Sequence, residues 1–286
     1  MKVELRNTTK KLCVIGDPVM HSKSLPLHNT MLQALGLDYV YLCQPVPAGQ
    51  AAQWLSAAKF CGYAGFNATI PHKQALVPLM DSLDEDARMY GAVNTVCLRD
   101  GRAYGHNTDG RGFLQSLLDQ GVDPAGRRFL LLGAGGAARA VALKLVQQGA
   151  AGVTVCNRTP EHAAALCAQD PTGRMVPAGF DRESLCRAAE GAEVLVNCTS
   201  LGMTGVEAQF SDFSFLDALP EGAMVCDLIY APAQTRLLAE AARRGHRTMN
   251  GAAMLIYQAV FALEHFTDTH IEARPMLDLL RPLLEG

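Results

Sequence analysis

Residues 127–150, RRFLLLGAGGAARAVALKLVQQGA, decide how the rest of the chain is read. Leu130 to Leu132 close a run apolar enough for a buried strand, and the glycines follow at once. Gly133, Gly135 and Ala138 match the spacing G-x-G-x-x-G/A, while Ala138, Val141, Ala142 and Leu145 recur at helical spacing beyond them. A strand, a glycine turn and a helix in that order aim backbone N–H groups at one spot, and the missing Cβ atoms let a pyrophosphate approach. A glycine triplet alone marks a tight turn; with both flanking elements it predicts dinucleotide binding.

The same rhythm extends in both directions. After the glycine turn come GVTVCNRT (152–159), AEVLVNCTS (192–200) and GAMVCDLIY (222–230), strand-like runs with helical segments between them. Before it, LCVIG (12–16), YVYLCQPV (39–46) and YAGFNATI (63–70) alternate with helical stretches near 27–36 and 49–59, and extended runs around AVNTVCL and GRAYGH follow. Alternation of this kind predicts an α/β chain with mostly parallel sheets. HNTDGRGFLQSLLDQGVDPAGRR lies between the two series and reads as a helix, with Phe113, Leu114, Leu117 and Leu118 on one face, then a Gly/Pro loop. AAMLIYQAVFALEHF, after Gly251, is a long apolar helix too far along to extend the second sheet. The expected organisation is an N-terminal α/β substrate domain (1–110), a Rossmann-like dinucleotide-binding domain (111–250) and C-terminal helices (251–286) returning to the first domain.

Composition narrows the function classes. The chain has 286 residues, 49% hydrophobic and 19% charged, enough for two domains with cores of their own. A formal charge of −3 offers no polycationic face for nucleic acid. No apolar stretch approaches the roughly eighteen residues that span a bilayer, and MKVELRNTTKK lacks the apolar core of a signal peptide, so a cytoplasmic location is expected. The nine cysteines show no CxxC pair and no Cys/His cluster at metal spacing, and neither a disulfide framework nor a metal site is expected. Cys13, Cys43, Cys156 and Cys226 sit in strand-like runs, where a thiol packs as a small hydrophobe.

Several polar residues fit neither core nor ordinary surface. The strand GVTVC ends in Asn157, Arg158 and Thr159, where an NAD-specific fold usually carries a carboxylate for the ribose hydroxyls. Arg158 there suits the 2′-phosphate of NADP, a charge-assisted contact of about 1.5–3 kcal/mol, or roughly ten- to a hundred-fold in preference. GDPVMHSKSLPLHN (16–29) puts Ser22 and Ser24 before a helix that Pro26 can start, where serines usually serve as caps. FNATIPHK (66–73) carries Thr69 at a strand end, Pro71 at a first helical position and Lys73 in the first helical turn. A cation there opposes the helix dipole by about 0.3–1 kcal/mol, and such local rule-breaking marks functional sites. Asn94 lies in GAVNT, and Asp109 opens the helix of HNTDGRGF, where capping alone accounts for an aspartate. Gln258 is the one strongly polar side chain in AAMLIYQAVFAL. If that helix is buried on most faces, its amide needs partners.

Taken in order, the serine pair, NATIPHK, GAVNT, HNTDGRGF, GAGGAAR, NRT, NCTSLGM, DLIYAPAQT and GAAMLIYQ resemble the shikimate dehydrogenase family from about Val14 to Gln258. The resemblance implies NADP-linked reduction of 3-dehydroshikimate to shikimate, on the route to aromatic amino acids, by a monomer or homodimer. It also implies roles: Ser22, Ser24 and Tyr230 on the substrate carboxylate, and Thr69, Asn94, Asp109 and Gln258 on ring hydroxyls. Lys73 is implied as proton donor and acceptor, with Asp109 beside it. On the cofactor side it implies Gly133, Ala134, Gly135, Gly136 and Ala137 at the pyrophosphate, Asn157, Arg158 and Thr159 at the adenosine end, and Leu228 and Gly251 at the nicotinamide end. An ammonium and a proton near a ketone being reduced agree with that chemistry on independent grounds.

The chain departs from the family pattern in three places. Leu25 stands between Ser24 and Pro26, Ala68 replaces the common valine of NATIPHK, and His162 stands where NADP users often have a second arginine. A mostly neutral histidine attracts phosphate less, which leaves NAD possible beside NADP. The rival substrate is quinate, with one more hydroxyl. Other rivals are a non-catalytic regulator that binds NADP and a shikimate-like ligand, which has no need of Lys73 with Asp109, and a folate-linked dehydrogenase, against which the serine pair and HNTDGRGF argue.

Overall fold

The computed structural model describes residues 5–284, and the chain divides into two compact units. One contains the residues up to Gly112 together with those from Ile256 onward; the other is Phe113–Leu255. The first unit holds β1 (Lys10–Gly16), α1 (Ser24–Ala34), β2 (Tyr39–Pro45), α2 (Ala51–Phe60), β3 (Tyr63–Ala68), the one-turn α3 (His72–Ala75), β4 (Ser82–Leu83), α4 (Glu85–Tyr90), β5 (Thr95–Arg99) and β6 (Arg102–His106). Its last element before the boundary, α5 (Asp109–Asp119), continues into the second unit. The second unit holds β7 (Arg128–Leu132), α6 (Gly136–Gln147), β8 (Gly152–Cys156), α7 (Pro160–Cys167), β9 (Met175–Ala178), α8 (Arg182–Ala189), β10 (Val194–Asn197), β11 (Met224–Asp227), α9 (Arg236–Arg243) and β12 (Arg247–Met249). Then α10 (Ala252–Thr267) leads back to the first unit, where α11 (Ala273–Leu280) follows.

The second sheet is parallel throughout, in the order β12-β11-β10-β7-β8-β9. Strand order therefore reverses between β7 and β10, the place where doubly wound sheets open a crevice at their carboxyl ends. Leu130, Leu132, Leu195 and Val225 are fully buried in its core, each such side chain contributing about 1.5–3 kcal/mol of transfer free energy.

The first sheet, β2-β1-β3-β5-β6-β4, is mixed. β1 lies parallel to β2 and β3, but β5 runs antiparallel to both β3 and β6. β6 is turned back on β5 by a two-residue hairpin at Asp100-Gly101, with φ of 50° and 74°. Positive φ at both central positions matches the right-handed strand twist, and Asp-Gly is a favoured pair for it. That reversal determines where the polar segments end up. Since β5 starts where β3 ends, with Thr95 opposite Asn67, and β6 ends opposite the start of β5, with His106 opposite Thr95, the residues after β3, before β5 and after β6 gather at one end of the sheet.

Candidate active site

Lys73, Asn94 and Asp109 meet at that end. Lys73 Nζ donates to Asp109 Oδ2 at 2.6 Å, and Asn94 Nδ2 donates to Asp109 Oδ1 at 2.9 Å. One carboxylate thus holds an ammonium on one oxygen and an amide on the other. Capping does not account for this aspartate, because Asp109 is already the first residue of α5 and its two carboxylate oxygens are taken by Lys73 and Asn94. Asp109 is buried and Lys73 half-buried, so the ammonium keeps access to a ligand while its counter-ion is sheltered. Charge-assisted hydrogen bonds in such surroundings are about twice as strong as neutral ones.

The backbone pins this group from several sides. Lys73 O accepts from Val93 N at 2.8 Å, Asn94 O accepts from Ala68 N at 2.9 Å, and His106 O accepts from Asn94 N at 3.0 Å. Asn94 Oδ1 accepts from Thr108 N at 3.0 Å and Thr95 Oγ1 at 2.8 Å, and Thr108 Oγ1 donates to Gln258 O at 2.9 Å. That last bond ties α10 to the cluster through its backbone. The Gln258 side chain itself is half-buried, not enclosed on most faces as its apolar neighbours suggested.

Helix geometry corrects two expectations around Lys73. Pro71 precedes α3 instead of opening it, and Lys73 is the second residue of a helix only four residues long. A single turn has little macrodipole, so the expected penalty on the lysine is small. Thr69 is held beside β1 by its N–H on Ile15 O, at 2.9 Å.

The serine pair is also arranged differently from caps. α1 begins at Ser24, its N-cap is Lys23 without a side-chain cap, and Pro26 is the third helical residue. Ser22 Oγ accepts from Ser24 N at 3.2 Å. The buried Tyr41 phenol donates to Asn67 Oδ1 at 2.7 Å. Asn67 Nδ2 donates onward to Asn94 O at 3.1 Å and Thr95 Oγ1 at 3.0 Å. A hydrogen-bond chain therefore runs from buried Tyr41 through Asn67 and Asn94 to Asp109 and the half-buried Lys73. Tyr41, Asn67, Thr95 and Thr108 escaped the sequence reading, although Asn67 and Thr108 lie in the NATIPHK and HNTDGRGF motifs. Polar residues at paired strand ends give the signal that was available.

In the second unit, Gly133 adopts φ +105°, and a Cβ there would lie 3.0 Å from Thr199 Cγ2. This packs the end of β7 against the segment after β10. Gly135 is the N-cap of α6, and around it and Gly136 no heavy atom lies within 4 Å of where a Cβ would sit. These two glycines and Ala137 are exposed, Ala134 is half-buried, and the first turn of α6 has no acidic residue. An open helix start with its first N–H groups unused by the helix fits a pyrophosphate. Asn157 Nδ2 donates to Thr159 O at 2.9 Å, closing the NRT turn. Arg158 and Thr159 are exposed, and the Thr159 side chain does not cap α7.

The DLIY segment is held by a residue the sequence reading passed over. Asp227 is buried and accepts from Asn197 Nδ2 at 3.0 Å, Ile229 N at 3.1 Å and Thr235 Oγ1 at 2.7 Å. Burial raises its pKa despite those three donors. Tyr230 is half-buried in this unit, whereas Ser22 and Ser24 belong to the first. Gly251 donates to Ile229 O at 3.0 Å, and its Cβ position lies only 2.0 Å from Leu228 O. No larger residue fits there without moving backbone.

Comparison with known proteins points one way. Residues 14–96 match the family model for a shikimate dehydrogenase substrate binding domain, and residues 116–208 that for shikimate / quinate 5-dehydrogenase. A shikimate dehydrogenase (NADP+) of Geobacter sulfurreducens is 43% identical over 264 residues, 91% of each chain. The shikimate 5-dehydrogenase of Thermus thermophilus, solved with NADP(H) and shikimate, is 35% identical with a TM-score of 0.84 and covers 96% of this chain and 99% of its own. The 5-ketofructose reductase of Gluconobacter sp. strain CHM43 is 32% identical with a TM-score of 0.85, covering 97% of this chain and all of its own.

Proposed function

This chain belongs to the shikimate dehydrogenase family, and from that premise we propose that it interconverts 3-dehydroshikimate and shikimate with NADP, as an oxidoreductase of aromatic amino acid biosynthesis. The observation that carries the reading is the Lys73–Asp109–Asn94 cluster, closed at 2.6 and 2.9 Å. The reduced nicotinamide, when bound, supplies the hydride that goes to the ketone carbon. Lys73 donates the proton to the ketone oxygen, and in the reverse direction receives it from the hydroxyl. As an ammonium it also offsets negative charge growing on that oxygen. Asp109 holds Lys73 in place and accepts from a ring hydroxyl, and Asn94 fixes the carboxylate so that neither turns away.

Ser22 and Ser24 bind the substrate carboxylate with Tyr230, and Thr69 and Gln258 take ring hydroxyls. Gly133 to Ala137 receive the pyrophosphate, Asn157 to Thr159 the adenosine end with Arg158 on the 2′-phosphate, and Leu228 with Gly251 the nicotinamide end. The enzyme in this reading is cytoplasmic, a monomer or homodimer; among the described residues no helix is long and apolar enough to cross a membrane.

The test is NADPH formation at 340 nm with shikimate or quinate, using NADP and NAD in turn, and NADPH oxidation with 5-ketofructose. The reading expects kcat/KM to be highest for shikimate with NADP. A higher value for quinate or 5-ketofructose, or no turnover at all, contradicts it.

A further inference from the structure

The side chains of Asp84, His106 and His265 take no part in the Lys73 cluster and come from three elements: the N-cap of α4, the last residue of β6 and the final turn of α10. One donor atom from each falls within 4.8 Å of the other two. His106 Nδ1 and Asp84 Oδ2 are 3.2 Å apart, and the His265 ring stacks on His106 with centroids 4.0 Å apart. We propose that these three side chains form a binding site for a divalent transition-metal cation, with Zn2+ as the best match, seated in place of the proton that His106 shares with Asp84.

The spacing of His106 and Asp84 supports this placement. With metal–ligand bonds of about 2.05 Å, two ligand atoms stand about 2.9 Å apart at a right angle and about 3.4 Å apart at the tetrahedral angle. The His106–Asp84 separation of 3.2 Å lies between those limits. Two imidazoles and a carboxylate suit Zn2+ better than Mg2+ or Ca2+, which prefer all-oxygen shells.

Asp84 is held for the role, since its Oδ1 takes the Ala87 N–H at 2.6 Å and leaves Oδ2 toward His106. Stacked rings point their lone pairs in parallel, so His265 must turn off the stack to bind. A cavity of about 690 Å³ lined by both histidines, Cys97 and Glu264 gives the ring that room and admits water to a fourth position. Arg99 also lines it, but its guanidinium is engaged by His265 O at 2.7 Å and by Asp268. Sequence spacing could not reveal the site, because its ligands are brought together only by the hairpin and the returning helix.

The experiment is calorimetric titration of the full chain with ZnCl2, paired with Co2+ titration followed by visible d–d absorption. A Cys61→Ser background removes the exposed thiol. Asp84→Asn keeps the helix cap, because asparagine caps as well as aspartate, and His265→Gln removes the third ligand; circular dichroism checks both folds. The expected result is one Zn2+ per chain with micromolar or tighter Kd, weakened at least about tenfold by either substitution. No binding at about 0.1 mM Zn2+, or binding that both variants retain, overturns the proposal. If Asp84→Asn fails to fold, His265→Gln decides alone.

Discussion

Replacing Gly135 by alanine separates ligand binding from folding. The change adds one methyl group between β7 and α6, at a residue with φ −78° and ψ −173°, a conformation open to any amino acid. No heavy atom of the protein lies within 4 Å of the new Cβ. Alanine caps a helix less well than glycine by about 0.5–1 kcal/mol, and it lowers unfolded-chain entropy by about 0.4–1 kcal/mol in the opposite direction. The two offset within about 0.5 kcal/mol, so Tm moves by less than about 2 °C. The methyl does take up open space at the turn, where by the proposed assignment the pyrophosphate must come close. Losing one charge-assisted hydrogen bond costs about 1.5–3 kcal/mol, a roughly 10- to 150-fold rise in the NADP Kd. NADPH fluorescence titration measures the binding and thermal circular dichroism the fold. Unchanged NADP affinity in a fully folded variant refutes the assignment of this turn to the cofactor.

Gly251→Ala has the opposite signature. Its Cβ needs at least 3.0 Å from Leu228 O where 2.0 Å is available, so backbone must shift and the bond from Gly251 N to Ile229 O is strained; urea denaturation should show a loss of about 2–4 kcal/mol. Tyr41→Phe leaves Asn67 Oδ1 short of a donor at a buried site. It should cost about 1–3 kcal/mol and raise the KM for shikimate while the KM for NADP stays put. Acid should destabilise the first unit through His28, which is buried, stacks on Tyr41 and has its pKa lowered to about 4 from 6.5. The folded state then binds fewer protons than the unfolded one, so stability falls as pH drops from about 6.5 toward 4, by about 2 kcal/mol at pH 5. Comparing denaturation midpoints at pH 7 and 5 in wild type and His28→Gln checks this; an equal pH slope in both counts against it.

Much of the molecule was legible before its coordinates. The apolar run ending at Leu132, the glycines and the stripe from Ala138 to Leu145 specify β7, its turn and α6, because period and turn chemistry are local properties. The hairpin of β5 and β6 was not read, although Asp100-Gly101 signals it, nor was the antiparallel pairing of β3 with β5, and together they bring NATIPHK, GAVNT and HNTDGRGF to one end of the sheet. Lys73 and Asp109 were singled out by composition and resemblance, whereas the buried chain through Tyr41 and Asn67 depends on strand register, which one sequence does not display. Ser24 looked like a cap because serines before helices usually are; it is instead the first residue of α1, with Lys23 at the cap position. Asp84, His106 and His265 were invisible because only the fold brings them near one another.

Lys73→Ala is the most direct test of the chemistry, read as turnover with saturating shikimate and NADP beside the NADP Kd of the same preparation. Proton transfer by this lysine predicts that kcat falls at least about a hundredfold while the Kd stays within about twofold. Turnover within a few-fold of wild type would show that the reaction proceeds without it.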